Sequence, residues 1–317
     1  MATYKVVSSS PTFGKITSEP INHLQENDCE VMILNPDVVN NREKFAESLK
    51  DADALVVGIE KVDEQLLANA QNLKVIAKHG IGIDNIDLEV TNSKGIVVKN
   101  VPNASTDAVA DYTIGLLISA ARHIPRTVQE VRNNEWNKRP GLGFSGKILG
   151  VIGTGRIGQA VIQRAVGFGM KIIAYDKFTN QESAATLGFE YKELEEIYRQ
   201  SDYIAIHTDL NIETRHLLDF SAFEKMKPNA IIVNTARGGI INEEDLLMAL
   251  DEKMIAGAAL DVFEDEPDFN KELLKHERFL ASSHTAAYTY DSLEFMGMET
   301  AKNVLQELSE SKASTHS

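Results

Sequence analysis

The sequence predicts an α/β protein made of two doubly wound parallel sheets. Three observations carry that expectation. Short β-branched runs recur along the whole chain with amphipathic stretches between them. The runs are only four to six residues long, which suits strands buried on both faces, and parallel strands need helical crossovers. One run is followed by a glycine-rich turn that opens a helix. The length agrees, because 317 residues correspond to two domains at about 100–200 residues each.

Taken in order, the first strand runs are Tyr4–Val7, Glu30–Leu34, Ala54–Val57, Leu73–Ala77 and Ile96–Lys99. Between them, Asn41–Lys50 places Phe45 and Leu49 at i, i+4, and Val62–Ala70 also reads as a helix. A long helix is expected over about Thr106–Arg122, closed by Pro125, before Gly141, Gly143 and Gly146 loosen the chain. A second series then reads Ile148–Ile152, Lys171–Tyr175, Tyr203–His207, Ala230–Asn234, Ile255–Leu260 and Arg278–Ser282. Helical Ile157–Phe168, Glu193–Gln200 and Glu243–Asp251 alternate with it, giving a second, larger unit of six strands. The last helix, near Tyr290–Leu308, has no place in that series, and the polar tail Ser309–Ser317 is expected to fray.

Composition narrows the function classes. Asp and Glu outnumber Lys and Arg by 47 to 32, a net charge of −15, so neither nucleic acid nor an anionic membrane is expected as the main partner. Cys29 is the single cysteine, which excludes an internal disulfide or thiolate zinc site and fits a reducing cytosol. No run approaches the ~20 apolar residues of a membrane span, and MATYKVVSSS lacks the pattern of a signal peptide. A soluble, cytoplasmic protein without a metal is the expectation.

The turn Gly153-Thr-Gly155-Arg-Ile-Gly158 follows the run Ile148–Ile152 directly. Gly153 permits the tight turn, Gly155 lets backbone approach a pyrophosphate, and Gly158 lets helix pack close to strand. The helix N-terminus at Arg156, Ile157 and Gly158 then offers free N–H groups and a partial positive charge to phosphates. Asp176 ends the next strand and is placed to hydrogen-bond a ribose and to repel a 2′-phosphate. The expected cofactor is NAD rather than NADP, a preference that Lys177 weakens slightly. A glycine turn in an unliganded sheet is the plain alternative, which strand, helix and acid together disfavour.

A nicotinamide carries the hydride, so the protein has to supply an anchor for an anionic substrate and a proton. Arg237 in Asn234-Thr-Ala-Arg-Gly-Gly239 follows a strand, and its planar fork can grip a carboxylate. Glu266 ends Asp261-Val-Phe-Glu-Asp-Glu266 after another strand, and His284 ends the strand beyond it. A carboxylate beside a histidine favours the charged imidazole and fixes its tautomer for proton transfer. Each residue alone also reads as a surface arginine, a solvated acidic loop or a structural histidine.

The combination GTGRIG, NTARGG, DVFEDEP and the strand-end histidine resembles the D-isomer-specific 2-hydroxyacid dehydrogenase family, most closely from Lys74 to Ala287. Lys78-His-Gly-Ile-Gly-Ile-Asp-Asn-Ile-Asp87 and Val101-Pro-Asn103 resemble its phosphoglycerate dehydrogenase-like branch. The resemblance implies a Rossmann-type NAD domain, residues 101–287, inserted into a flavodoxin-like substrate domain made of 1–100 and 288–317. It makes Arg237, Glu266 and His284 the substrate anchor, histidine partner and proton donor. Nicotinamide-side contacts then fall on Thr235, beside Ala236, and on Asp261; further cofactor contacts fall on His207 and Thr208. The loop Lys78, His79, Gly80, Ile81 would hold the substrate carboxylate through backbone N–H groups, carried there by closure about hinges near Asn100 and Ala287.

Three departures from the family pattern stand out. Ser283 and Asp209 stand where proline is usual, and Thr285-Ala-Ala287 lacks the usual glycine. Altered loop geometry is expected, with the reacting groups intact, and Asp209 adds charge near the cofactor groove. Lys78 falls where the phosphoglycerate-type enzymes place an arginine facing a distal phosphate, which mildly favours a substrate with a second anionic group. The expected reaction is reversible hydride transfer between NAD(H) and a small 2-hydroxy or 2-keto acid such as 3-phosphoglycerate. The resemblance also makes Thr106–Arg122 part of a homodimer interface, with an inter-domain core helix as the alternative. No C-terminal regulatory domain is expected. The rival from another class is a dinucleotide-sensing binding protein of the co-repressor type.

Overall fold

Apolar runs flanked by turns become strands buried on both faces, and all of the strand pairings are parallel. The computed structural model describes residues 3–314. It divides into two units, Met1–Ser105 with Tyr288–Ser317, and Thr106–Ala287. The first division falls after Ser105 because Val101 and Ala104 pack on Met296, within the first unit.

The first unit holds β1 (Tyr4–Ser8), β2 (Cys29–Ile33), β3 (Ala54–Val57), β4 (Val75–Lys78) and β5 (Val97–Lys99), in the order β2-β1-β3-β4-β5. Alternate residues face opposite sides. Val6, Val56, Val75 and Ala77 pack on Leu24 and on Ala301, Val304 and Leu308 of the helix Tyr290–Ser314. Val7, Leu55, Val57 and Ile76 pack on Phe45, Leu49, Leu66 and Leu67 on the other side. Each such side chain taken fully from water contributes about 1.5–3 kcal/mol.

The second unit holds β6 (Ile148–Ile152), β7 (Lys171–Tyr175), β8 (Glu190–Tyr191), β9 (Tyr203–Ile206), β10 (Ile231–Asn234), β11 (Gly257–Leu260) and β12 (Phe279–Ala281). Their order is β12-β11-β10-β9-β6-β7-β8. The sheet therefore has seven strands instead of six, the extra one being the two-residue edge β8, too short to carry a periodic signal. Ala110, Ile114, Leu117 and Ala121 of the helix Thr106–Ala121 lie against Leu149, Val151 and Val233 in the core. In both sheets the strand order reverses beside the first strand, between β1 and β3 and between β6 and β9. Such reversals leave a crevice at the strands' carboxyl ends.

Some local expectations change. Val62–Ala70 forms turns and no helix, because the backbone of Val62 pairs with the 85–87 segment through Val62 N to Asn85 O and Asp87 N to Val62 O. Pro125 does not close the long helix but sits in the first turn of a new one, Ile124–Arg132, where its missing N–H costs nothing. The turn before it is made by His123 at φ 53°. The last helix extends to Ser314 rather than Leu308; the end of the tail expected to fray lies outside the described residues. Among the described residues no helix is long and apolar enough to cross a membrane.

Tyr203 shows how the glycine-rich segment before β6 is secured. Its ring is buried, it meets the Phe144 ring edge-on at 4.9 Å, and its hydroxyl donates to Gly143 O at 3.0 Å. Burial pushes that phenol up to about 12. Replacing Tyr203 with Phe is expected to cost about 1 kcal/mol of stability in urea unfolding, the worth of one hydrogen bond. A loss near zero would mean that water replaces the phenol on Gly143.

Candidate active site

The glycine turn leaves β6 with Gly153 at φ +95°, its N–H donating to Tyr175 O at 2.8 Å. A Cβ on Gly158 would stand 2.1 Å from Gly153 O, so helix Arg156–Gly167 could not approach the strand with any larger residue there. A Cβ on Gly155 would meet nothing within 4 Å. The N–H groups of Arg156, Ile157 and Gly158 have no acceptor among the described residues, and no side chain caps the helix. An open cradle rimmed by orphan donors fits a pyrophosphate.

Asp176 follows β7 directly. Its Oδ2 accepts Thr154 N at 2.6 Å and Thr154 Oγ1 at 2.9 Å, while Oδ1 accepts Phe178 N at 2.8 Å. The acid thus also braces the glycine turn. Lys177 turns to Glu213, 2.7 Å away, which balances its charge. His207 follows β9 directly, with both ring nitrogens shut off from solvent and without partners among the described residues, although part of the residue is accessible. Burial pushes its imidazole down to about 3. Its carbonyl and the Thr208 N–H back onto Gly153. At Asp209, where proline is usual, Thr214 Oγ1 donates to Asp209 O at 2.6 Å and closes the loop.

At the other end of the sheet the carboxyl ends of β10, β11 and β12 carry Arg237, Glu266 and His284. His284 Nδ1 lies 2.7 Å from Glu266 Oε2. An ionised carboxylate only accepts, so the proton sits on Nδ1 and Nε2 is left for chemistry. Burial alone would raise the Glu266 carboxyl. The His284 hydrogen bond and charge, the Phe263 N–H and the Arg237 guanidinium outweigh it and hold Glu266 below the ordinary carboxylate range. Arg237 donates to Ala236 O at 2.7 Å. Thr235 is buried, its hydroxyl 2.8 Å from that of Thr113 on the long helix.

Asp261 is fully buried, and its carboxylate works inside the protein. It accepts Ser282 Oγ at 2.6 Å, Thr285 N at 2.9 Å and Ala286 N at 2.8 Å, while its own carbonyl accepts His284 N at 2.9 Å. These bonds hold His284 at φ +50°, a conformation unusual for a side-chain-bearing residue. Asp261 thus shapes the turn that lacks both proline and glycine.

In the first unit, the loop after β4 shows two different halves. Gly80 has φ +156°, and the N–H groups of Gly80 and Ile81 have no acceptor among the described residues. They are available to a carboxylate. His79 departs from the expectation: its N–H donates to Val57 O at 2.9 Å, and its ring is buried beside Phe13 and Thr300. It supports the loop from below. Lys78 is buried as well, with its ammonium on Gly58 O and, at 2.8 Å, on Asn85 Oδ1.

Residue-by-residue reading missed three supporting side chains. Asn85 braces Gly58 and Glu60 carbonyls from inside a motif already singled out. Asn234 closes the Arg237 turn, donating to Arg237 O at 2.8 Å and accepting Ala236 N at 2.9 Å. Glu243 accepts Glu264 N at 2.8 Å and so ties down the loop carrying Glu266; as an acid in a helix's first turn it offered no separate signal.

Comparison with known proteins gives this arrangement its family. Residues 114–286 match the family described as D-isomer specific 2-hydroxyacid dehydrogenase, NAD binding domain. A glyoxylate reductase of Thermococcus litoralis is 42% identical over 269 residues, covering 82% of this chain and 81% of that protein. The chain belongs to the D-2-hydroxyacid dehydrogenase family. A D-3-phosphoglycerate dehydrogenase of Methanocaldococcus jannaschii is 43% identical over 267 residues, 83% of this chain but 51% of that protein. The crystal structure of the TT0316 protein from Thermus thermophilus superposes with a TM-score of 0.88 at 30% identity, covering 96% of this chain and 97% of that one. This D-2-hydroxyacid dehydrogenase is an NAD-dependent oxidoreductase whose Rossmann domain carries the glycine cradle.

The buried histidine of the dehydrogenase's first unit makes stability pH-dependent. Burial, with the charge of Lys78 beside it, pushes His79 down to about 4. The unfolded chain binds that proton near 6.5 and the folded chain refuses it, so stability is complete above 6.5 and lost as pH falls through 4. The slope over that window is up to about 1.4 kcal/mol per pH unit from this one group. His79→Leu is expected to flatten it in urea midpoints between about pH 7 and pH 4.5; an unchanged slope would assign the acid sensitivity elsewhere.

Proposed function

We propose that this dehydrogenase interconverts a small 2-keto acid and the corresponding D-2-hydroxy acid, with proton transfer at His284. The observation that carries the reading is the 2.7 Å contact between His284 Nδ1 and Glu266 Oε2, which leaves Nε2 to exchange the proton. Bound NAD(H) supplies or accepts the hydride. Arg237 orients a carboxylate and polarises the adjacent carbonyl, and Glu266 stabilises the imidazolium that precedes donation. Gly153, Gly155, Arg156, Ile157, Gly158, Asp176, His207, Thr208, Thr235 and Ala236 form the cofactor side of this reading. The free N–H groups of Gly80 and Ile81, with Lys78 behind them, form the substrate side. In reduction, keto acid, NADH and a proton become hydroxy acid and NAD, so atoms and charge balance.

The position of Lys78 bears on the substrate. An ammonium committed to Gly58 O and Asn85 Oδ1 is a poor anchor for a distal phosphate. That favours short acids such as glyoxylate or hydroxypyruvate over phosphohydroxypyruvate, the substrate first expected from a lysine at this position.

The homodimer reading moves to a different surface. The faces of Thr106–Ala121 are largely spent in the core. Ile124, Val128 and Val131 recur at i, i+4, i+7 on the next helix and are exposed, with Trp136 82% exposed beyond them. A second copy of the chain fits an apolar stripe of this kind.

His284→Gln is expected to lower kcat for keto-acid reduction by about 10²–10⁴, with NADH binding retained. Glu266→Gln is expected to lower kcat for keto-acid reduction as well, since a neutral amide no longer stabilises the imidazolium that donates the proton. Retained turnover in His284→Gln would overturn the proton-transfer assignment. Val128→Glu with Val131→Glu is expected to convert a dimer to a monomer in light scattering; a monomeric wild type would remove the dimer.

A further inference from the structure

The carboxyl end of the five-stranded sheet carries a charged side chain that none of these roles uses. Glu60 follows β3 in the turn Gly58-Ile59-Glu60, at the point where strand order reverses between β1 and β3. The crevice at such a reversal is where open parallel sheets bind ligands. Glu60 Oε2 accepts Ser9 Oγ at 2.9 Å and Gly58 N at 2.9 Å, and Ser9 itself is buried at the end of β1. Asn85 Nδ2 fixes the same turn by donating to Glu60 O at 2.6 Å.

One oxygen of the carboxylate is therefore clamped by a hydroxyl and an amide. The other, Oε1, has no hydrogen-bond partner among the described residues. Ile59 beside it is 75% exposed, an apolar neighbour for a small ligand. Lys78 belongs to the same hydrogen-bond network, and its ammonium is held by Gly58 O and Asn85 Oδ1. The result is a fixed, negatively charged acceptor beside the loop whose Gly80 and Ile81 N–H groups await a carboxylate.

We propose that Glu60 is a specificity-determining residue, and that it selects a 2-keto acid whose far end is an uncharged hydrogen-bond donor. This rests on the dehydrogenase reading given above. Hydroxypyruvate presents such a hydroxyl to Oε1. A phosphate or second carboxylate in its place would meet like charge, and discrimination by repulsion is how a rigid site rejects a near-isostere. Glyoxylate has no far end and makes neither contact.

The test is NADH oxidation by the purified full chain with hydroxypyruvate, phosphohydroxypyruvate and glyoxylate, comparing wild type, Glu60→Gln and Glu60→Asp. Wild type is expected to show the higher kcat/KM for hydroxypyruvate. Glu60→Gln should raise the phosphohydroxypyruvate-to-hydroxypyruvate ratio of kcat/KM by about tenfold or more, and Glu60→Asp should keep the ratio within about threefold of wild type. Equal losses on both substrates would mean that Glu60 only holds the turn, and would overturn the proposal, as would a wild-type preference for the phosphorylated acid. Product inhibition of the wild type supplies a reading that needs no variant: D-glycerate should bind about tenfold or more tighter than 3-phospho-D-glycerate, and the reverse order also overturns it. Turnover of none of the three acids despite NADH binding would bring down the dehydrogenase reading itself, and the role of Glu60 with it.

Discussion

The carboxyl end of the second unit's sheet, around Arg237 and His284, hangs on one buried carboxylate. Asp261 has no access to water, and a charge in that position has to be met by hydrogen bonds or it destabilises the fold. Ser282, Thr285 and Ala286 meet it, which winds the chain after β12 around it and sets the direction of His284. Its N–H reaches Asn234 O at 2.9 Å, and Asn234 in turn closes the Arg237 turn. Arg237 and His284, 47 residues apart in sequence, are thereby referred to the same two buried polar side chains on neighbouring strands.

A second constraint is electrostatic. The chain carries −15, and both of its expected ligands are anions. Side-chain cations are scarce where they are needed: Lys177 is paired with Glu213, and Lys78 is turned inward. Backbone N–H groups take over much of that work. Arg156, Ile157 and Gly158 present orphan donors in one unit, and Gly80 and Ile81 do so in the other. Such donors add local positive potential without altering net charge, and they keep their geometry because helix and strand hold them. On the proposal above, the half-buried Glu60 carboxylate has the opposite effect and narrows which anions are welcome.

Much of this was legible in the residues. Strand runs announced themselves by short β-branched blocks, since a parallel strand buried on two faces has little freedom of composition. The glycine turn was legible because each glycine answers a separate steric demand, and the helix and acid beside it supplied context. Arg237, Glu266 and His284 stood out less by their own spacing than by the resemblance of their surroundings. Val62–Ala70 misled because its apolar spacing permits a helix, whereas its backbone pairs with residues 85–87. Pro125 misled because a proline that ends one helix and one that begins another look alike in sequence.

The sequence by itself determined the fold class and the glycine turn, because those depend on local sterics, and it nominated Arg237, Glu266 and His284 through the resemblance of their surroundings. Only the tertiary structure decided which groups are already spent. His79 and Lys78 read as candidates for substrate, yet one N–H belongs to Val57 and one ammonium to Gly58 and Asn85. Asp261 reads as a cofactor contact, yet its oxygens serve its own chain. Hydrogen-bond partners of this kind lie on strands distant in sequence, and a donor or acceptor has a finite capacity. Which partner claims it is settled by where the folded chain brings them together.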